Sequence, residues 1–499
     1  MRKHLSIVSM LLVLILLASC GTASKPTTPP TTTEPVSQSA PDYDFAGETV
    51  RFLVNGQETG SDSLHCRSIA LPDGADLSYE INSAIEERNK AVEKDLHVKI
   101  ELTEITETEQ LTQALLASAT TGLHTYDVVS GCQYYDIGIP FFGDGKGTLL
   151  DLNQLSDEEN GLVLTASYWD KTLSEAMSHN GKMYWVTGDL SLSYLGGLSV
   201  SFVNKTLWDR YAARISELPK AEGESDIYKL VDKKLWTMDL ISEISKMIYV
   251  DNDVNNKINI GDTVGYISYV AGLDNYMTDV LAAGAGLTYT VYNEAGVPEV
   301  DFLNIRSSLF VNKLLKQYTE SNALLVDPKD GVEPLSVFAK GNVLMIPGYM
   351  YQAETLCQDM TDTYIALPPP LLMAGEDYTS LRHGEISMYG IPASTKEANR
   401  VLLATVTLER MARASKDVRM AYYSSVLRAS TEANNQFASL ELVDNVCRYD
   451  FTLLWAGEID SPPYWYFRQT CTIRNWTEHR YQKDWSGYVA QLWERLNTP

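Results

Sequence analysis

The sequence predicts an α/β protein long enough for two lobes. Strand-like and helix-like periods alternate between Thr49 and Ser130, and residues 42 to 499 are too many for a single core. Residues 49 to 54 (Thr-Val-Arg-Phe-Leu-Val) alternate and are rich in β-formers, so they read as a first strand. Ile81, Ala84, Ile85, Val92 and Leu96 recur on one helical face, with Ser78 or Asp76 as the expected N-cap. His97 to Leu102 alternates again as a second strand. A helical period follows through Leu111, Ala114, Leu115 and Ser118, and Thr125 to Ser130 is a third apolar run that stops at Gly131. Strand, helix, strand, helix, strand implies a parallel sheet. Ligands bind beyond the carboxyl ends of such strands, which points here to residues 55 to 58 and 130 to 136.

The remainder continues as α/β with less regularity. Leu198 to Val203 reads as a strand running into a helix that begins near Asn204. Helical spacing recurs over Trp236 to Ile248, Phe310 to Glu320 and Ala398 to Ala414. Gly341 to Ile346 is a short buried strand, and Tyr364 to Leu367 is a strand stopped by Pro368-Pro369-Pro370. Aromatic residues crowd together from Thr452 onward.

The N-terminus has its own logic. Arg2 and Lys3 precede an apolar run from Ile7 to Leu17 that is too short for a permanent membrane span. Small residues then lead to Leu17-Ala18-Ser19-Cys20, which resembles the lipobox of bacterial lipoproteins. There the leader (here 1–19) is removed and the Cys thiol, Cys20, is diacylated by chains such as palmitate; two chains on one residue anchor stably. Residues 20 to 41 are dense in Thr, Pro and Ser, cannot bury a core, and form a solvated spacer. The expected location is the extracellular face of a bacterial cytoplasmic membrane.

The formal charge of −25 becomes −27 once Arg2 and Lys3 are gone, which argues against nucleic acid as a partner. Five cysteines remain after Cys20, at positions 66, 132, 357, 447 and 471, without a Cys-x-x-Cys pair. Free buried thiols are expected, with a Cys447–Cys471 bridge as the alternative. No metalloprotease, serine-hydrolase elbow or P-loop signature occurs, so the chain is expected not to be an enzyme and to require no cofactor.

One loop has metal-ligand spacing. Asp251, Asp253, Asn255, Asn259 and Asp262 fall at positions 1, 3, 5, 9 and 12 of an EF-hand-like pattern, with Lys257 at position 7. Position 6 is Asn256, a residue that tolerates the left-handed conformation that Gly usually supplies. A structural Ca2+ is the expectation, and a polar turn the alternative.

Several weak motifs in a fixed order carry a family resemblance. They are Arg88-Asn89, Tyr126-Asp127-Val128-Val129, Leu149-Leu150-Asp151-Leu152, Asn180-Gly181-Lys182-Met183-Tyr184, Phe202-Val203-Asn204-Lys205, Phe338-Ala339-Lys340-Gly341-Asn342 and Gly390-Ile391-Pro392. Their sequence resembles that of the extracellular solute-binding proteins of ABC importers, in the branch of the maltose-binding protein. The resemblance implies a two-lobed periplasmic-binding-protein fold of type II. Each lobe would be a mixed, mostly parallel sheet flanked by helices, with the ligand cleft between lobes and closure by hinge motion. It places residues 42–198 and 386–432 in one lobe and 199–385 and 433–499 in the other. It also implies a monomer that passes a small solute, a carbohydrate or oligosaccharide, to the membrane subunits of an ABC permease.

Aromatic rings stack on the C–H faces of sugars while polar side chains bond the hydroxyls, and the chain holds 29 Tyr and 9 Trp. Residues expected at the cleft are Asn55, Tyr134, Tyr135, Asp189, Tyr194, Tyr349, Tyr351 and Arg382. The competing readings are a surface glycoside hydrolase, whose two carboxylates sequence alone cannot locate, and an adhesive glycan-binding lipoprotein with no transport role.

Overall fold

The structure is a computed structural model and describes residues 42–56, 64–157, 161–270, 275–301, 304–395, 397–427, 433–459, 462–471 and 482–498. The leader, Cys20 and the spacer lie outside the described residues, as do positions 57 and 58 of the first expected ligand loop.

Strands β1 (Glu48–Asn55), β2 (Val98–Ile105) and β3 (Val128–Cys132) form the expected parallel set, with β1 in the middle. Two helices cover them, Glu80–Leu96 through Ile81, Ile85, Val92 and Leu96, and Thr108–Thr121 through Leu111 and Leu115. Two local expectations fail. The first helix is preceded by Tyr79 at the N-cap with no side-chain bond, because Asp76 accepts from the Ser78 amide one turn too early. His97 is not in a strand; it takes the left-handed conformation (φ 48°) and ends that helix.

The resemblance motifs are packing devices. Arg88 is buried and donates to the Ser68 carbonyl (2.8 Å) and the Ser415 hydroxyl (3.3 Å), while Asn89 donates to the Ile69 carbonyl (2.7 Å). Asp127, fully buried, accepts from the Arg51 amide and from Arg400, tying β1 to the helix Ala398–Ala414.

A second sheet is built from β4 (Ser199–Asn204), β5 (Val264–Tyr269), β8 (Leu324–Val326), β9 (Val343–Tyr349) and β10 (Tyr364–Leu367) in the order β10-β4-β9-β5-β8. Between β5 and β8 in the chain a small hairpin forms from β6 (Thr290–Tyr292) and β7 (Pro298–Val300). β4 is antiparallel to both neighbours, β10 and β9, whereas β5 is parallel to β9 and β8. Nearly every residue of these five strands is buried, which is why they read as apolar runs rather than clean alternation. Asn204 ends β4 and caps the helix Lys205–Ser216, its side chain accepting from the Leu207 amide at 2.8 Å.

The first sheet is completed from far along the chain by β11 (Ser387–Gly390), antiparallel to β3. The chain therefore passes between the sheets before β4 and again before β11. These passages run side by side: Leu198 bridges Arg382, the Ser199 amide donates to Leu381 (3.0 Å), and the His383 amide donates to Gly197 (2.8 Å). Helices Ala398–Ala414 and Lys416–Val426 then pack on Glu80–Leu96, and Ala433–Asn445 packs on β10. Cys66, Cys132, Cys447 and Cys471 are free thiols, so the Cys447–Cys471 bridge does not form.

Candidate functional site

A cavity of about 280 Å³ opens where the carboxyl ends of β3 and β9 face each other. β3 leads directly into the short helix Gln133–Asp136, held by the second passage: the Gln133 amide donates to Ile386 and the Tyr134 amide to Gly384. Asp136 closes this turn by accepting from the Cys132 amide and from Asn55 Nδ2, both at 2.7 Å. Tyr134 and Tyr135 thereby stand edge to face, ring centroids 4.8 Å apart, against the cavity. Burial and the neighbouring Glu385 push the Tyr135 hydroxyl up to about 12, so it stays a hydrogen-bond donor.

Across the cavity, Tyr349 ends β9 and is only 3 % exposed. Its ring meets His383 edge-on at 4.8 Å and stacks on Tyr351 at 6.0 Å. Beside it Asp279, from the helix Tyr276–Gly284, pairs with Arg468, whose Nε lies 2.8 Å from Oδ2. Burial raises the Asp279 carboxyl, and Arg468 opposes that rise.

The expected ligand residues divide into groups. Tyr134, Tyr135, Tyr349 and Arg382 line this cavity. Asn55 does not: fully buried, it positions Asp136. Tyr351 lies behind Tyr349 and is not part of the lining. Asp189 and Tyr194 line a separate polar cavity of about 330 Å³. There Arg382 sits 3.5 Å over the Tyr194 ring and pairs with Asp444, while Arg419 bridges Asp444 and Asp189 at 2.8 Å each. Arg382 also donates to the Tyr194 carbonyl. Its guanidinium is thus committed to linking the two passages to the helix Ala433–Asn445.

The sequence reading missed Asp279, Arg468, Tyr464, Trp465 and Glu385. The only available signal for two of them was the aromatic crowding after Thr452. Together the lining offers ring faces, hydroxyls, carboxylates and guanidinium groups, the set that binds a polyhydroxylated solute through stacking and hydrogen bonds.

The loop from 251 to 262 folds into a tight polar turn. One carboxylate oxygen from each of Asp251, Asp253 and Asp262 lies within 4.8 Å of the others. Asn256 takes φ 59°, as position 6 requires. Asp251 accepts from the Asn255 and Asn256 amides, Asn255 and Asn259 donate to Asp253, and the Lys257 amide donates to Asn255.

No protein-family model and no curated protein matches the sequence. Solved structures do. A cyclo/maltodextrin-binding protein complexed with maltotetraose is similar at a TM-score of 0.53 and 13 % identity, over 90 % of this chain and 97 % of that one. The ABC substrate-binding protein Lmo0181 of Listeria monocytogenes, in complex with cycloalternan, gives 0.51 and 14 % over 89 % and 99 %. The galacto-N-biose/lacto-N-biose I-binding protein of the ABC transporter of Bifidobacterium longum gives 0.51 and 12 % over 91 % and 98 %. The chain has the two-lobed fold of ABC solute-binding proteins, with mixed sheets flanked by helices.

Proposed function

We propose that this protein is a lipid-anchored extracellular receptor that captures a carbohydrate between its lobes and delivers it to an ABC permease, performing no chemistry. The observation that carries the reading is the cavity itself. It lies at the carboxyl ends of strands from both sheets, beside the two passages, and is lined by tyrosines and charged hydrogen-bonding groups. The neighbours in fold that bind maltotetraose, cycloalternan or lacto-N-biose support a sugar as the ligand class. The proposed lobes are 42–198 with 386–432 and 199–385 with 433–499, of which residues 449–455 also contact the first lobe. Anchoring rests on Cys20. Two of the lining carboxylates are held in structural bonds, Asp279 by Arg468 and Asp450 by the Tyr289 and Thr290 amides, and the third, Glu385, accepts from Tyr135 at 3.5 Å, which favours binding over hydrolysis.

Calcium in the 251–262 loop belongs to the same proposal, supported by the convergent carboxylates and the left-handed Asn256. A thermal-shift screen with sugars, amino acids, peptides and polyamines, run with and without chelator, tests both parts. A sugar is expected to raise the melting temperature and chelation to lower it, with Asp251→Ala abolishing the chelator difference. Stabilisation by another ligand class alone would overturn the carbohydrate reading, and superimposable curves with and without chelator would overturn the calcium site.

A further inference from the structure

Two walls of the cavity come from the two sheets; a third comes from the C-terminal segment that the family resemblance places with the second lobe. Residues 448–459 and 462–468 bring Tyr464, Trp465, Arg448 and Arg468 to the lining. The segment is fastened on both sides. Toward the first sheet, the Leu454 carbonyl accepts from Gln133, Tyr449 donates to Asp170, and Trp455 packs edge-on against Phe141 at 5.4 Å. Toward the second, Asp450 accepts from the Tyr289 and Thr290 amides at 2.8 Å, Arg468 holds Asp279, and Phe467 stacks on Phe310 at 5.8 Å.

Glycines let the segment approach this closely. A Cβ on Gly457 would overlap the Tyr134 carbonyl oxygen, and one on Gly138 would overlap the Glu458 carboxylate. The segment is therefore fitted to the turn that carries Tyr134 and Tyr135. The cavity, about 280 Å³ and open to solvent on one side, falls just under the roughly 300–1,000 Å³ typical of pockets for drug-sized ligands. A chain of several sugar units running toward the segment would have to displace it and break contacts on both sides.

We propose that residues 448–459 and 462–468 form a third wall that closes one side of the binding cleft, restricting the ligand to a mono- or disaccharide, with Trp465 as the ring that discriminates. The inference rests on the carbohydrate reading above. Trp465 is half-buried, lines the cavity and meets Tyr464 edge-on at 83°, and an indole ring at a cavity wall can stack on the C–H face of a sugar.

Calorimetry on the full mature chain tests it with length series of one to four units of α-1,4-glucose, β-1,4-glucose and β-1,4-xylose. In the series that binds, the mono- or disaccharide is expected to bind tightest and the tetrasaccharide at least tenfold more weakly. Trp465→Ala is expected to lower affinity for the short ligand at least tenfold. Trp465→Phe, which keeps a smaller ring in place, should fall between if the alanine variant folds poorly. A tetrasaccharide that binds as tightly as the disaccharide, or unchanged affinity in the Trp465 variants, overturns the wall and leaves the carbohydrate reading standing. Binding of no series, together with stabilisation by another ligand class alone in the thermal-shift screen, removes both.

Discussion

The cleft and the acidic loop are candidate binding sites assembled in opposite ways. The loop is twelve consecutive residues, largely exposed, whose ligand groups converge through hydrogen bonds among near neighbours. The cleft collects side chains from positions as distant as Tyr134 and Arg468, buried by two sheets and a C-terminal segment. Charge behaves differently in each. In and beside the cleft, burial raises the carboxyls of Asp136 and Asp279. In the loop, desolvation also opposes ionisation of Asp251, but the Asn256 amide, the Asp253 side chain and the Asn255 amide together outweigh it and the carboxyl is lowered. A contiguous site is organised by its own backbone, whereas a dispersed one depends on the whole fold and can be broken from far away.

The largest effect expected from that contrast is at Arg468. Arg468→Met leaves the Asp279 carboxylate, 4 % exposed, without its partner, and breaking a buried pair costs about 3–5 kcal/mol. Chemical denaturation should show that loss, and the double variant Asp279→Asn/Arg468→Met should recover much of it because no lone charge remains. Equal stability of wild type and Arg468→Met would mean that the C-terminal segment is not fastened to the second sheet's side. No comparable loss is available in the exposed loop.

A smaller effect sharpens the electrostatic contrast, and its sign differs between the two regions. Asp136 is raised when folded, so the native state holds its proton longer than the unfolded chain. Its stabilising contribution is present in acid and is lost as pH rises from the ordinary 3.8 toward the folded value. Asp251 is lowered, so its contribution is present above 3.8 and is lost as pH falls through the folded value. Melting temperatures measured with chelator across the carboxylate range should therefore show wild type losing ground to Asp136→Asn, and gaining on Asp251→Asn, as pH rises. Parallel curves for both variants would contradict the difference.

The two regions also differ in how much of them the sequence discloses. The loop's spacing is readable because its geometry is local, down to Asn256 in the left-handed position. The first three strands and their helices are readable for the same reason, since the parallel crossovers are local, running over 56–97 and 106–127. β11 is not, because its partner β3 lies more than two hundred residues earlier. Within the cleft, Tyr134 and Tyr135 were accessible from the rule that ligands sit beyond strand ends. Asp279 and Arg468 were not: each looks like an ordinary helical residue until folding brings the two together. Asn55 and Tyr194 show the converse, polar groups at the expected strand end and passage that turn inward to hold structure.

The central claim is that a sugar binds in the cleft. Once the thermal-shift screen supplies a sugar, calorimetry on Tyr135→Ala and Asp253→Asn side by side tests it most directly. Tyr135 is half-buried at the cavity, so losing its ring should weaken binding at least tenfold, about 1.4 kcal/mol or more. Asp253, in the loop, should leave sugar affinity unchanged. Wild-type affinity in Tyr135→Ala together with a loss in Asp253→Asn would contradict the account.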